Sequence, residues 1–455
     1  MTNKLQFKVD LIRGPIFQSL LLFAIPLFFS NVFQQLYNTV DTMIVGHVLG
    51  DLSLAAIGSC AAIYDLLIGF ALGIGNGLAI VTARSYGAQD EELLKKSVAA
   101  SIVIGLVTSL VLTVGAEIIL MPLLKMLDTP PEILAEAFSY ISIITRFTLV
   151  MFAYNLCAGL LRAIGNSFMP LVFLILSSCL NIGLDIFFIA QLNMGVGGAA
   201  IATVIAQGIS VVLCLIYILK KTPALIPQSR HFKIGREIYA EMGGQGLSMG
   251  FMGSIVAAGS VVLQYGINNL GTLIIAGHTA ARKLFMFFNM PFSAMAMAIS
   301  TFVSQNRGAD QRGRILKAMR CAVIYDFVMA ALVTVILGLF AKDLVQLISG
   351  SQEAVVLNNG ALYLQVVGPF YAVLGVLLET RFALQGLGAK MIPLVSSVIE
   401  LVGKVVFAFL FIPKFAYLAV IFCEPVIWCL MTVQLIYAFV THPYIHLLAP
   451  KLKTS

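Results

Sequence analysis

The chain has 455 residues, of which 60% are hydrophobic and only 11% are charged. Water-soluble domains carry about 25% charged residues, so this composition indicates a protein whose solvent is the lipid bilayer. The net charge of +7 is spread over connecting segments and forms no patch, which argues against nucleic acid as a partner.

The apolar runs predict twelve transmembrane helices. The runs are roughly 20 residues or longer and lack the two-residue alternation of barrel strands, so only a helical membrane fold satisfies the backbone. The predicted spans are 16–45, 53–83, 94–119, 133–161, 168–190, 196–220, 237–265, 273–304, 315–340, 354–386, 391–412 and 416–440.

The distribution of Lys and Arg predicts the orientation of these spans. The six loops on one side hold only Lys125, Lys342 and Lys414, whereas the other loops and both ends of the chain are basic. By the positive-inside rule, both termini are expected in the cytoplasm. We therefore predict a multi-pass protein of a bacterial-type plasma membrane.

Internal repetition divides the chain near its middle. ARSYGAQDEELLKK (83–96) resembles SQNRGADQRGRILK (304–317), and LRAIGNSFMPLVFLILSS (161–178) resembles LQGLGAKMIPLVSSVIEL (384–401). The offset is about 221–223 residues, and an even number of spans per repeat predicts parallel repeats. The fold class expected is all-α, with two pseudo-symmetric six-helix bundles.

The repeats set the expected domain limits. The basic, proline-containing stretch KKTPALIPQSRHFKIGR separates them. We predict an N-terminal bundle (1–219), a cytoplasmic linker (220–236), a C-terminal bundle (237–440) and a cytoplasmic tail (441–455).

Several stretches resemble the multidrug and toxic compound extrusion (MATE) transporters, and in particular their DinF-like branch. They are IPLFFSNVFQQLYNTVDTMIVGHVLGDLSLAAIG (25–58), GNGLAIVTARSYGAQD (75–90), LLRAIGNSFMPL (160–171), NIGLDIFF (181–188) and LQGLGAKMIP (384–393). The resemblance implies secondary antiport of organic cations or amphipathic compounds against H⁺ or Na⁺, by alternating access between two bundles. It also implies that no cofactor is needed, and we expect a monomer in contact with membrane lipid.

Charged residues inside membrane spans are costly and tend to mark function. Asp185 follows Asn181 by four residues, so the two share a helix face. The resemblance places Asp41, Asn181, Asp185 and Thr203 together as the coupling-ion site. The alternatives are a solvated helix end for Asp41, a buried hydrogen-bonding carboxyl for Asp185, and helix-bridging groups for the other two.

The second repeat does not copy this site. Lys404 replaces Asn181 and Ala408 replaces Asp185, while Glu400 precedes Lys404 by one turn. We predict a structural Glu400–Lys404 ion pair, with a gating or substrate role as the alternative. The NorM-like branch has acidic residues in its seventh and tenth spans, whereas the comparable stretches here, 246–254 and 369–378, have none.

Pro26 interrupts the first span and removes one backbone hydrogen bond, which predicts a bend. The resemblance links protonation to bending of this span, and a static kink is the alternative. Substrate-cleft residues are harder to select. The candidates are Gln34, Tyr37, Asn155, Gln264, Met286, Phe287 and Met290. Aromatic and thioether groups suit flat cations, but they suit lipid contact or helix packing equally well.

Two rival functions differ from drug export. The chain has no HExxH, GxSxG or Walker lysine motif and no second Asp-rich loop, so we do not expect an enzyme. A lipid-linked oligosaccharide flippase of the same superfamily is the alternative within transport. It would need a cationic cleft, for which Arg146, Arg282, Lys283, Arg381 and Lys404 are available. Asp65 and Asp326 are either interhelical partners or cleft residues, and Glu424 is expected to be structural.

Overall fold

The computed structural model describes residues 8–127 and 129–445. Within them the chain is almost entirely helical. The helices are α1 Ile16–Leu49, α2 Asp51–Gly87, α3 Glu91–Met126, α4 Pro131–Arg146, α5 Thr148–Ala163, α6 Phe168–Asp185, α7 Gly195–Lys221, α8 Arg236–Asn268, α9 Thr272–Gly308, α10 Arg312–Ser349, α11 Ala354–Val367, α12 Tyr371–Gly386, α13 Met391–Val406, α14 Ile412–Phe415 and α15 Tyr417–Thr441. The ends of the predicted termini, 1–7 and 446–455, lie outside the described residues.

The prediction of an all-helical membrane protein is confirmed. In the described part of the chain, eleven helical segments are long and apolar enough to span a bilayer, and the bent pair α4–α5 makes a twelfth. Several helices extend beyond their apolar runs, as α10 does at both ends of the predicted span 315–340. This extension follows because polar helix ends continue into the interfacial region, where hydropathy no longer marks the helix.

Two predicted spans are broken, one at a position without proline or glycine and the other at a proline. The span 133–161 bends by 50° between α4 and α5, at Phe147. The span 354–386 is interrupted by a 3₁₀ turn, Gly368–Phe370, which contains Pro369. Proline lacks the N–H that an uninterrupted helix needs, which explains the second break. The two breaks fall at equivalent places in the repeats.

The duplication is visible in the backbone itself. Residues with positive φ recur in pairs at the repeat offset, namely Gly50 and Gly271, Gln89 and Asp310, Gly165 and Gly388, and Asn193 and Ala416. Segments of π-helix also recur, at Ile186–Gln191 after α6 and at Phe407–Phe411 after α13. π-Helical insertions are rare, so their presence at matched positions shows that the repeat extends to local geometry.

Contacts among the described residues divide the chain into two compact units. The first, called the N-terminal unit, comprises residues 8–14 and Leu22–Ser254, and the second, called the C-terminal unit, comprises Pro15–Leu21 and 255–445. The limits predicted from the sequence place the boundary in the linker, whereas the contact boundary falls within α8.

Small residues bring helices of the N-terminal unit close together. A methyl group on Gly73 would lie 2.7 Å from the Cα atom of Gly250, and one on Gly77 would lie 2.7 Å from that of Gly246. Close backbone approach through glycines is a common packing mode of membrane helices. Arg84 and Glu241 add an ion pair of 2.5 Å between the same two helices, so α2 is firmly placed beside the site described next.

Candidate functional site

A cavity of about 440 Å³ lies inside the N-terminal unit, surrounded by α1, α2 and α4–α7. Its polar lining comes from side chains spaced along helix faces. On α1 these are Gln34, Tyr37, Asn38, Asp41 and Thr42, and from the other helices Tyr64, Asp65, Tyr140, Tyr154, Asn155, Ser177, Ser178, Asn181, Thr203 and Gln207. The α1 positions follow the three- and four-residue spacing of one helix face, which explains why they meet in one cavity.

Asn181 and Thr203 join α6 to α7 beside Asp185. With its amide oriented to satisfy both neighbours, Asn181 Nδ2 donates to Asp185 Oδ2 at 2.8 Å, and its oxygen accepts from the Thr203 backbone N–H at 3.2 Å. The Thr203 hydroxyl lies 3.2 Å from the Tyr37 hydroxyl of α1. Asp185 is fully buried, and it lies immediately before the π-helical segment. The site therefore connects three helices through hydrogen bonds.

Asp41 and Asp185 are brought together across α1 and α6. Their carboxyl groups lie within hydrogen-bonding reach of each other. Oδ1 of each carboxyl is buried and has no hydrogen-bond partner among the described residues. Two carboxyl groups in contact repel when both are ionised, and the low dielectric of a membrane interior strengthens this repulsion. The pair can therefore hold a proton or another monovalent cation.

The donor atoms fit either coupling ion that the sequence suggested. Carboxylate and hydroxyl oxygens from Asp41, Asp185 and Thr203 are hard ligands of the kind that alkali cations accept, and the carboxyl pair alone can hold a proton. Asn181 turns its amide nitrogen, and not its oxygen, towards Asp185. Among residues 8–127 and 129–445, no cluster of three or more His, Cys, Asp or Glu side chains is arranged to hold a metal ion.

The predicted substrate residues separate into three groups. Gln34, Tyr37 and Asn155 line the same cavity as Asp41, whereas Asp185 is buried behind its lining. Gln264 lines a different, smaller pocket in the C-terminal unit. The three predicted residues of α9 line neither cavity: Met286 and Phe287 are exposed, and Met290 is buried. A stripe of this composition fits lipid contact and packing as well as binding, so composition alone could not separate these roles.

The smaller pocket of the C-terminal unit has a volume of about 80 Å³ and a charged lining. Arg282 donates to Glu424 at 2.7 Å and to the hydroxyl of Tyr363 at 3.1 Å. Close by, Lys404 donates to Glu400 at 2.8 Å and to Ser260 at 3.3 Å. The geometry of the predicted Glu400–Lys404 pair is therefore present, and its structural role stays a prediction.

Eight polar lining groups of the larger cavity were not predicted from the sequence, among them Tyr64, Tyr140 and Gln207. Tyr64 and Tyr140 stand in apolar helices whose inward faces could not be recognised without the tertiary packing. Gln207 follows Thr203 by one helical turn, and this spacing was a signal that could have identified it. Asp65, which the sequence left open between two roles, lines the cavity.

Fold and site together define a class: a polytopic helical membrane protein built by duplication, with a carboxyl pair inside one unit. The MatE family model matches this chain twice, over residues 26–187 and 249–410, and the second match begins and ends 223 residues after the first. The chain belongs to the MatE family, the multidrug and toxic compound extrusion transporters. Members of this family are transporters and not enzymes, and the predicted duplication is confirmed.

Comparisons with individual proteins agree with this assignment. The chain is 27% identical over 395 residues to the probable multidrug resistance protein YpnP of Bacillus subtilis, covering 86% of this chain and 87% of the relative. It is 24% identical over 371 residues to the DNA damage-inducible protein F of Escherichia coli, covering 79% and 78%. A solved outward-facing multidrug resistance MATE family transporter of the MOP superfamily has the same fold, with a TM-score of 0.87, 23% identity and coverage of 97% and 99%.

Proposed function

We propose that this chain is a secondary active exporter that expels organic cations or amphipathic compounds in exchange for H⁺ or Na⁺. Asp41 and Asp185 bind the coupling ion in this proposal. The observation that carries it is the contact of the Asp185 carboxyl group with that of Asp41, which lines a cavity of ligand size. The description of YpnP as a probable multidrug resistance protein supports the same substrate class.

Antiport follows from competition for one negative charge. With a proton or sodium ion bound, the Asp41–Asp185 pair keeps one net negative charge. When the proton or sodium ion has left, the pair attracts an organic cation more strongly. This attraction reaches the compound because charges in a low-dielectric site interact over the whole cavity. An organic cation and the coupling ion therefore displace each other, and exchange results when the cavity opens to opposite sides in turn.

The cavity suits an organic cation in size and lining. A volume of about 440 Å³ lies within the range of small-molecule sites. Tyr37, Tyr64 and Tyr140 surround it with aromatic rings, and positive charge is attracted to such rings. Gln34 and Asn155 add amide groups that can orient a polar end of the compound. We assign these residues to substrate binding.

Pro26 serves as the proposed hinge of α1. Proline cannot donate a hydrogen bond to the carbonyl of Leu22, so the helix lacks one backbone bond there. The Ser30 hydroxyl donates to the Pro26 carbonyl at 2.8 Å, which offers that carbonyl a local partner. Because Asp41 and Tyr37 lie further along the same helix, a change of charge at the site can act on its bend.

The flippase alternative has less support from the described residues. A diphosphate needs cationic groups that are free to receive it. Arg146 pairs with Glu117, Arg282 with Glu424, and Lys404 with Glu400, so three candidate cations already have acidic partners. Arg381 donates to the hydroxyls of Ser396 and Ser397 and lies 3.9 Å from a carboxylate oxygen of Glu400. Lys283 is exposed, as is Arg146.

The cellular setting follows from the same class of protein. We propose that the transporter resides in the plasma membrane of a bacterial-type cell, with both termini in the cytoplasm, and that it works as a monomer. The membrane assignment rests on the apolar spans, and the placement of the termini rests on the distribution of Lys and Arg.

Uptake of a fluorescent organic cation into proteoliposomes tests the proposal. A pH gradient and a sodium gradient are imposed separately on wild type, Asp41→Asn and Asp185→Asn. Asp51→Asn is the matched control, because Asp51 is exposed at the start of α2 and does not line the cavity. We expect gradient-driven uptake to fall about 100-fold or to background in both cavity variants, and to persist in the control.

The outcomes separate the alternatives. Uptake driven by the pH gradient alone identifies H⁺ as the coupling ion, and uptake that needs sodium identifies Na⁺. Full activity of Asp41→Asn would refute the assigned ion site. Absence of uptake in wild-type protein under both gradients, combined with translocation of a lipid-linked oligosaccharide, would replace drug export by the flippase function.

A further inference from the structure

A second pair of acidic side chains is buried inside the C-terminal unit. Asp326 on α10 and Glu379 on α12 both have a side chain with no exposed surface. None of the four carboxyl oxygens has a hydrogen-bond partner among the described residues. The two groups lie close enough for the charge of Asp326 to act on Glu379. Neither residue lines the two polar pockets described above.

Gly375 creates the space that Asp326 occupies. A methyl group on Gly375 would lie 2.6 Å from Cγ of Asp326 and 2.9 Å from its Oδ1 atom. Glycine at this position therefore lets the carboxyl group rest against the backbone of α12. Glu379 is one helical turn further along the same helix, so its side chain emerges on the same face. The carboxyl pair is thus fixed by helix packing and not by chance proximity of flexible side chains.

The first repeat shows what the fold requires at the same place. By the repeat offsets, Gly105 of α3 corresponds to Asp326, and Phe152 of α5 corresponds to Gly375. There, the ring of Phe152 fills the space above Gly105. Leu156 corresponds to Glu379 and is buried. In the N-terminal unit, then, an apolar ring and a leucine occupy the places that two carboxyl groups occupy in the C-terminal unit.

The first repeat therefore shows that the fold does not need acidic residues at this place. A glycine facing a phenylalanine completes the contact with hydrocarbon alone, at no desolvation cost. Replacing it by two ionised carboxylates without partners would carry a large desolvation cost for each charge. Uptake of a proton lowers this cost, because a neutral carboxylic acid is much less strongly solvated than its anion.

Three basic side chains on the helices packed around the pair are bonded to other groups. Arg282 of α9 donates to Glu424, Arg381 of α12 donates to Ser396, and Lys404 of α13 donates to Glu400. Tyr325 of α10 is the neighbour whose ionisation both acids affect. No cation among these residues therefore neutralises Asp326 or Glu379.

We propose that Asp326 and Glu379 form a second proton-binding site, located inside the C-terminal unit and independent of the Asp41–Asp185 site. Uptake of one proton from water places it on one carboxyl oxygen and leaves the pair with a single negative charge, and its release restores both carboxylates. The proposal does not depend on the transported compound. It predicts that the protein exchanges protons even when the cavity of the N-terminal unit is inactivated.

Infrared difference spectroscopy of purified protein during a pH change tests this directly. The experiment uses Asp41→Asn/Asp185→Asn as background, so that the first site contributes no titrating carboxyl group. We expect a carbonyl band of a protonated carboxylic acid that disappears as the pH rises from about 5 to about 9. The band should be absent when Asp326→Asn and Glu379→Gln are added. Asp343→Asn, an exposed acid of the same helix, is the matched control and should leave it in place.

Thermal stability in detergent supplies a second readout. A folded state that binds more protons than the unfolded state loses stability as the pH rises. In the same background, we expect the Tm to fall by about 5 °C as the pH rises over the range of the infrared experiment. The Tm should depend less on pH in Asp326→Asn/Glu379→Gln. Glu379→Leu, which copies Leu156, distinguishes folding failure from lost titration, because the variant should fold yet lack the carboxyl band.

Three results would overturn the proposal. The first is a carboxyl band that is unchanged by the added variants. The second is a band that they remove but that does not respond to pH, which would leave two permanently neutral acids. The third is a stabilisation that sodium chloride produces, that choline chloride does not produce and that is lost without Asp326. The ligand would then be an alkali cation. Failure of drug uptake in proteoliposomes affects none of these measurements.

Discussion

The larger cavity of the N-terminal unit and the smaller pocket of the C-terminal unit come from equivalent helices of a duplicated fold, yet they treat charge in opposite ways. In the first, Asp41 and Asp185 face each other with an unpartnered oxygen on each carboxyl. In the second, Glu424 is paired with Arg282, and Glu400 with Lys404. The space differs accordingly, at about 440 Å³ against about 80 Å³.

Lys404 explains much of this difference, because it stands at the position of Asn181 in the repeat. Its ammonium group lies in the pocket region, bonded to Glu400 and Ser260. The C-terminal unit therefore has a lysine bonded to a glutamate where the N-terminal unit has an amide beside the proposed ion site. A charge that is already neutralised cannot exchange, so we propose that ions exchange beside the first cavity and that the ion pairs of the second pocket contribute stability.

Removal of Arg282 should have the largest effect on stability. Glu424 is only 7% exposed, and Arg282→Met leaves its carboxylate without its closest cation. Breaking a buried pair from one side costs about 3 kcal/mol. Denaturation in detergent measures this loss. Arg282→Met/Glu424→Gln should recover a substantial part of it, because no unpaired charge remains, and the ion dependence of transport should stay that of wild type. Equal stability of Arg282→Met and wild type would contradict a structural role for the pair.

The comparison also shows what the sequence could and could not reveal. Apolar run length identified the spans, and the i,i+4 spacing identified the Glu400–Lys404 geometry, because both are local. The contact of Arg282 with Glu424 joins residues 142 positions apart. The nearness of Asp326 on α10 to Glu379 on α12 depends on Gly375, which also belongs to α12. Such contacts follow from helix packing, which no local pattern encodes. The bend at Phe147 could not be predicted, because no proline or glycine marks it in the sequence.

Glu400→Gln should have an intermediate effect. The substitution leaves the ammonium group of Lys404, which is 3% exposed, with an amide in place of a carboxylate. We expect a loss of about 1–2 kcal/mol, since a neutral acceptor keeps one hydrogen bond while the charge pairing is lost. Uptake under separate proton and sodium gradients should keep the wild-type preference. Glu353→Gln, at an exposed position, is the control. A changed ion preference would instead give Glu400 a part in coupling.

We expect the smallest effect on stability at Pro26, where the effect on transport is the informative one. The two matches to the family model begin at Pro26 and at Met249, so α8, the equivalent helix of the second repeat, has no proline there. Pro26→Ala restores the N–H that can bond the Leu22 carbonyl and should change the free energy of unfolding by less than about 1 kcal/mol. If α1 bends during the cycle, transport should slow several-fold while the affinity for the fluorescent cation stays the same.

Separate measurements of uptake rate and of equilibrium binding distinguish a hinge from a fixed kink. A hinge acts on the interconversion of conformations and therefore on rate, whereas a fixed kink shapes the cavity and therefore affects affinity. Slower uptake with unchanged affinity places the moving element in the N-terminal unit, beside the exchangeable charge. Unchanged uptake would mean that α1 keeps one shape, and the asymmetry between the units would then be one of charge alone.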